Sequence, residues 1–256
     1  MRFDHKKSNN KIGKTTVPSS INKTFLIHGI SYGLGKALAT LVPNDDDLIY
    51  GISRSTPQLP RQIEWIQTDL AYPVQACKKI KDVIGDKALD VFIYNVGVWE
   101  QDAFTHDYDF SSISALEIQT IINTNITSCI LSIQSILENL KKSDHAKVIL
   151  IGSTWGLDNH NGKEIVFSAT KFALRGISHA LRELIRKDRI GVTVLNLGYL
   201  APDFDLDTTI ESVLEETDES LIPVSDVVAA VQFVLNTSRA SCVKEIMMPA
   251  MQDTNI

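Results

Sequence analysis

The run His28-Gly29-Ile30-Ser31-Tyr32-Gly33-Leu34-Gly35 decides the fold. Before it lies Thr24-Phe25-Leu26-Ile27, a short apolar stretch suited to a strand buried on both faces. After it, apolar residues recur at helical spacing from about Leu34 to Leu41. Gly29 allows a tight turn, Gly33 lets the backbone approach a pyrophosphate, and Gly35 lets the helix pack closely on the strand. The free amides at the helix start and the helix dipole both favour negative charge there.

The strand–helix alternation continues outward from this turn. Leu48-Ile49-Tyr50-Gly51-Ile52, Trp65-Ile66-Gln67-Thr68, Asp90-Val91-Phe92-Ile93-Tyr94, Lys147-Val148-Ile149-Leu150-Ile151 and Gly191-Val192-Thr193-Val194-Leu195 read as further strands. Ile246-Met247-Met248 reads as a last, short one. Helical spacing runs over 74–84, 116–140, 166–186 and 224–235. The pattern predicts an α/β fold: a Rossmann-type, doubly wound parallel sheet in three α/β/α layers, forming a single domain over 23–256. The ligand crevice is expected at the carboxyl ends of the strands. Residues 1–22, which include Lys6, Lys7, Lys11 and Lys14, read as a flexible polar tail.

Composition narrows the classes of function. The chain has 256 residues, 44% hydrophobic and 22% charged, with a formal net charge of -6. That balance does not favour a nucleic-acid or anionic-membrane partner. No apolar run reads as long enough to span a bilayer, and the N-terminus lacks the apolar core of a secretory signal. Cys77, Cys129 and Cys242 have no metal-ligand spacing and read as buried small hydrophobes in a reducing, cytoplasmic setting. No metal site is expected.

The spacing Gly-x-x-x-Gly-x-Gly, with the motifs downstream of it, resembles the short-chain dehydrogenase/reductase family from about Thr24 to Met248. His28 stands where that family usually has Thr. The resemblance implies a dinucleotide held by Gly29, Ser31, Tyr32, Gly33 and Leu34. Ser53-Arg54 follows the second strand; the absence of a carboxylate at Ser53 and the cation at Arg54 suit a 2′-phosphate, so NADP(H) is favoured over NAD(H). Asp69-Leu70 resembles the family's adenine-contacting pair, and Asn95-Val96-Gly97 resembles its Asn-Ala-Gly segment lining the cofactor cleft. Gly198 keeps the glycine of the family's Pro-Gly, whereas Leu197 replaces the Pro and Pro202 lies where a Thr contacts the nicotinamide.

Family members interconvert carbonyls and alcohols by hydride transfer, using Asn, Ser, Tyr and Lys. The matching positions are Asn125 (with Asn123 as a competing candidate), Ser153, Phe167 and Lys171. Phe167 departs from the pattern. Phe keeps the ring and loses the proton, so it cannot serve as the general acid. Three explanations fit: a natural variant with another acid or none, a cofactor-binding protein with little reductase activity, or an engineered replacement of a native Tyr. The further departures at Leu197 and Pro202 favour natural divergence. His160, Asp158 and Tyr199 are candidate alternative proton sources, and Trp99 and Glu100 either approach the substrate or anchor a loop.

The segment 203–220 carries Asp203, Asp205, Asp207, Glu211, Glu215, Glu216, Asp218 and Glu219. In the family this stretch covers the substrate, and Ile210, Val213 and Leu214 would face inward from a short helical lid. A solvated acidic face is the alternative reading. The expectation is an NADP(H)-dependent oxidoreductase with atypical or impaired proton transfer, acting on a small molecule and assembled as a homodimer or homotetramer through the two long helices. A nucleotide-binding pseudoenzyme with a regulatory or scaffolding role, or a lyase or isomerase on the same pocket, are the alternatives.

Overall fold

The computed structural model describes residues 22–254. The predicted tail, apart from Asn22, lies outside the described residues. Nine strands are present among them: β1 Thr24–His28, β2 Leu48–Ser53, β3 Glu64–Gln67, β4 Val91–Tyr94, β5 Lys147–Ile151, β6 Gly191–Leu197, β7 Leu200–Ala201, β8 Ile222–Pro223 and β9 Glu245–Met248. Seven form one all-parallel sheet in the order β3-β2-β1-β4-β5-β6-β9, and β7 pairs with β8 separately. The chain winds outward from β1 through β2 to β3, then returns to β4 on β1's other side. This reversal opens a crevice at the carboxyl ends of β1 and β4.

Seven α-helices cover the sheet: α1 Gly33–Leu41, α2 Pro73–Ile84, α3 Ala115–Ile122, α4 Ser128–Lys141, α5 Ile165–Leu184, α6 Ile210–Thr217 and α7 Val224–Asn236. Because both faces are covered, the central strands are buried at nearly every position and mostly apolar rather than alternating. Register sorts their side chains by face. Leu26 aligns with Tyr50 on one side and Phe92 on the other, and Phe92 aligns with Val148. All four lie in the core beneath α2, α4 and α5, whereas Phe25, Ile27, Ile93 and Ile149 pack beneath α1 and α7. Pro73 at the first position of α2 suits a helix start, where its missing N–H costs nothing.

Three expectations need correction. The helix expected over 116–140 is interrupted: α3 and α4 are joined by a π-helical turn, Asn123–Thr127, which tilts Asn125 into the protein. Such turns insert one residue into the helical ladder and occur often at functional sites. Secondly, the helical run Ala115–Lys141, the π-helical turn included, is long and apolar enough, by length and composition, to cross a bilayer. Here its apolar side, including Ile121, Cys129, Ile133 and Ile136, is spent on the core. Thirdly, Cys242 is exposed, unlike Cys77 and Cys129.

His28, the last residue of β1, is fully buried and neither ring nitrogen has a hydrogen-bond partner. Its ring packs edge-on to Phe92 at 5.2 Å and lies 5.3 Å from Tyr94. Burial pushes its pKa down from 6.5 to about 3. The unfolded chain therefore takes up a proton near pH 6.5 that the folded chain refuses until about pH 3. Stability is lost as pH falls through that window, by about 2 kcal/mol at pH 5 from this group. In denaturant unfolding at pH 7.5 and pH 5, His28→Leu should reduce the loss on acidification by about that amount. Parallel losses in the two proteins would contradict this account of His28.

Candidate functional site

A cleft of about 1120 Å³ runs along the carboxyl ends of the strands. Its centre is the turn between β1 and α1. Gly29 and Gly33 have positive φ, +77° and +53°. A Cβ on Gly29 would lie 2.0 Å from the Asn95 carbonyl oxygen, and one on Gly35 would lie 1.7 Å from the Gly29 carbonyl oxygen. Asn95, at the end of β4, donates from Nδ2 to that Gly29 oxygen at 3.2 Å. The N-cap of α1, Tyr32, makes no capping side-chain bond, and the first turn holds no acidic residue. The amides at this helix start are therefore left for an anion, and Ser31, Tyr32, Gly33 and Leu34 all line the cleft.

At one end of the cleft, Ser53, Arg54, Asp69 and Leu70 line the wall as expected from the sequence. Ser53 is occupied internally: its hydroxyl donates to the Ser55 carbonyl at 2.7 Å and accepts from Trp65 Nε1 at 2.9 Å. Arg54 is exposed at the rim, and its guanidinium makes no ion pair among the described residues. Asp69 Oδ1 accepts from the Ala71 amide at 2.9 Å, which shapes the turn after β3.

At the other end, Val96, Gly97, Ser153, Phe167, Lys171 and Gly198 line the cleft. Phe167 and Lys171 share one face of α5, and the Lys171 ammonium sits 5.2 Å from the Phe167 ring centre. Lys171 also donates to the Ile151 carbonyl at 3.2 Å, and burial lowers its pKa to about 8. A Cβ on Gly97 would come within 3.2 Å of Lys171 Nζ, so glycine keeps the amine's space open. Ser153 accepts from the Trp155 amide at 3.3 Å, capping a short 3-10 turn. That bond uses a lone pair and leaves the hydroxyl proton to donate elsewhere.

Asn125 does not line the cleft. From the π-helical turn it accepts the Val98 amide at 2.9 Å and donates to the Val98 carbonyl at 2.7 Å and to Thr170 Oγ1 at 3.0 Å. It ties the segment after β4 to α5, one residue from Lys171. The competing Asn123 does line the cleft. His160 lies behind Trp155, outside the cleft lining. Its Nδ1 accepts from the Gly162 amide at 3.1 Å, which leaves Nε2–H to donate to Ser168 Oγ at 3.0 Å. Asp158 is exposed and faces Arg175 at 3.9 Å. Pro202 packs toward the glycine turn, 3.1 Å from where a Gly33 Cβ would stand. The acidic residues of 203–220 line no part of the main cleft; Asp203 and Asp205 border a separate cavity of about 230 Å³.

Of the two readings the sequence left open for Glu100, one is met, while Glu164 and Phe104 escaped the sequence reading. Glu100 is the loop anchor, not a substrate contact: it is 1% exposed and accepts the Val166 amide at 2.7 Å and the Phe167 amide at 3.2 Å. A carboxylate at a helix start satisfies free amides and complements the dipole. Glu164 accepts from Trp155 Nε1 at 2.6 Å and from the Phe104 amide at 2.9 Å. Phe104, in the loop after β4, contacts four other rings: Trp155 and Phe167 at 5.3 Å, Trp99 at 5.7 Å and Tyr199 at 6.1 Å. Edge-to-face pairs of this kind contribute roughly 0.5–1.5 kcal/mol each beyond burial. An irregular loop has no period from which its Phe could be placed.

With the geometry in view, comparison with known proteins is direct. A family model described as short chain dehydrogenase matches residues 23–211. The chain belongs to the short-chain dehydrogenase family. A 3-ketodihydrosphingosine reductase from Bacteroides thetaiotaomicron is 25% identical over 176 residues, which are 68% of this chain and 62% of that protein. An uncharacterized oxidoreductase of Staphylococcus aureus is 24% identical over 236 residues, 88% of this chain and 96% of its own length. Among solved structures, a blue fluorescent protein from a metagenomic library in complex with NADPH has a TM-score of 0.73 at 20% identity, covering 91% of this chain and 98% of that one. A 4-hydroxyisoleucine dehydrogenase complexed with NADH has a TM-score of 0.74 at 15% identity, covering 90% and 98%. At these identities the structures show the shared fold.

The buried ammonium yields a test. As pH rises through about 8, Lys171 loses its charge while Phe167 and the strand carbonyl stay unchanged. NADPH affinity should fall several-fold between pH 7 and pH 9.5, by fluorescence titration, and Lys171→Met should remove that fall. An unchanged pH profile in Lys171→Met would contradict a role for this amine in binding.

Proposed function

We propose that this chain is an NADP(H)-dependent oxidoreductase of carbonyl–alcohol pairs whose proton transfer is impaired at position 167. The observation that carries the reading is the pairing of an uncapped, glycine-lined helix start with a cation, Arg54, that has no ion-pair partner among the described residues, at the cleft rim. The turn amides from Ser31 to Leu34 would hold the diphosphate, and Arg54 would hold the 2′-phosphate. Asp69 and Leu70 would meet the adenine. Asn95, Val96, Gly97, Lys171 and Gly198 would border the nicotinamide half.

The bound dinucleotide supplies or accepts a hydride; the protein must handle the accompanying proton. Ser153 donates a hydrogen bond toward a substrate oxygen, which stabilises charge developing there. Lys171 holds a positive charge in a buried setting. Phe167 fills the ring position beside Lys171 and carries no transferable proton. Phe167 and Pro202 together also support a second reading, a nucleotide-binding pseudoenzyme. The exposed apolar residues Ile130 on α4 and Phe172 on α5 are consistent with assembly through these helices.

Two measurements separate the claims. NADPH should bind more tightly than NADH, and Arg54→Ala should weaken NADPH roughly 10- to 100-fold, about 1.5–3 kcal/mol, with little effect on NADH. Equal affinities in the unaltered chain would reject the cofactor assignment. Phe167→Tyr should raise carbonyl reduction by roughly 10²- to 10⁴-fold, the usual scale of general acid catalysis. An unaltered chain that turns over as fast as Phe167→Tyr would reject the impairment.

A further inference from the structure

We infer that Phe104 occupies the place of a flat aromatic group of the substrate, and that binding proceeds by its displacement. The inference deepens the proposed function and rests on its reading of this end of the cleft as the substrate end.

The Phe104 ring stands in a cage of four rings that reach it from four segments: Trp99 after β4, Trp155 after β5, Phe167 on α5 and Tyr199 after β6. All five residues line the main cleft. The contacts are edge to face, with interplanar angles of 64° to 89°, so the cage presents ring faces and edges to whatever fills its centre. Ser153 and Lys171, the polar groups proposed to act on the substrate, line the same cleft.

Phe104 is held there at a conformational cost. Its φ is +66°, and Asp102 two residues earlier has φ +57°. A bulky side chain rarely adopts the left-handed region, and such residues persist only when their surroundings enforce it. The enforcing contact is the Glu164 carboxylate, which accepts the Phe104 amide at 2.9 Å. Leaving the cage releases this strain and surrenders the ring contacts, which an incoming aromatic group can restore.

The chemistry of the cage selects the ligand class. A carboxylate placed among four rings would face their negative π-clouds and lose water without gaining a partner, whereas a neutral ring meets matching faces and edges. Glu100 and Glu164 are spent on backbone amides and on Trp155, and Glu117, which lines the cleft, accepts the Gln101 amide. The acidic residues of 203–220 lie outside this cleft. An aromatic ring bearing a carbonyl or alcohol matches the cage and the polar pair beside it.

The test uses benzyl alcohol and 1-butanol as probes, read by the emission of Trp99 and Trp155 on titration. Phe104→Gly empties the cage and suits positive φ; Phe104→Asn also tolerates that backbone and guards against an effect peculiar to glycine. Both variants should bind benzyl alcohol at least tenfold more tightly than the unaltered chain, with less than a twofold change for 1-butanol. No gain in either variant, or an equal gain for both alcohols, would overturn the inference. NADPH titrations of the same three proteins report on the proposed cofactor site separately, so failure there strikes the proposed function and not Phe104.

Discussion

Between the Gly29 carbonyl oxygen and Gly35 there is no room for a methyl group: a Cβ on Gly35 would lie 1.7 Å from that oxygen. The same oxygen accepts from Asn95 at the end of β4. This contact locks the start of α1 onto the two strands that flank the topological reversal. It sets where the helix amides point, and so where the cleft begins. It also holds the segment that runs from Asn95 to Gly97 and on to Lys171. A side chain at either glycine would push α1 off the sheet and move the anion site with it.

A second constraint governs the opposite end. The N-terminus of α5 is fixed by the Glu100 carboxylate on the Val166 and Phe167 amides and by Glu164, the residue just before the helix, which bridges Trp155 and Phe104. Position 167 is therefore placed by electrostatics as well as packing. The Phe ring then packs edge to face in the aromatic cage, under the Lys171 ammonium. The two ends rest largely on different contacts, and none of those at the glycine turn involves the Phe167 side chain.

The parallel sheet was legible because its strands are continuous apolar runs between turn residues, and β1 to β6 fall within a residue or two of their expected limits. The glycine turn was legible because its spacing has a steric cause. Long-range contacts were not. Nothing in the helical period announces the π-helical turn at Asn123–Thr127, since it changes the ladder by one residue and leaves the apolar pattern intact. Asn125 could be matched by resemblance, yet its work as a brace between Val98 and Thr170 depends on folding. His160 looked suited to proton transfer by type, and the fold turns it toward Ser168 behind Trp155. Phe104 sits in an irregular loop, and only the fold brings four rings around it.

The central claim is that the turn from His28 to Gly35 holds a dinucleotide whatever happens at Phe167. Amide hydrogen exchange of the unaltered chain, with and without saturating NADPH, tests it most directly. The account predicts strong slowing at Ser31 to Leu34 and at Val96 and Gly97, with little change at the start of α2 or in α7. Saturable binding that leaves the amides of 31–34 unprotected, or no binding at all, would contradict it.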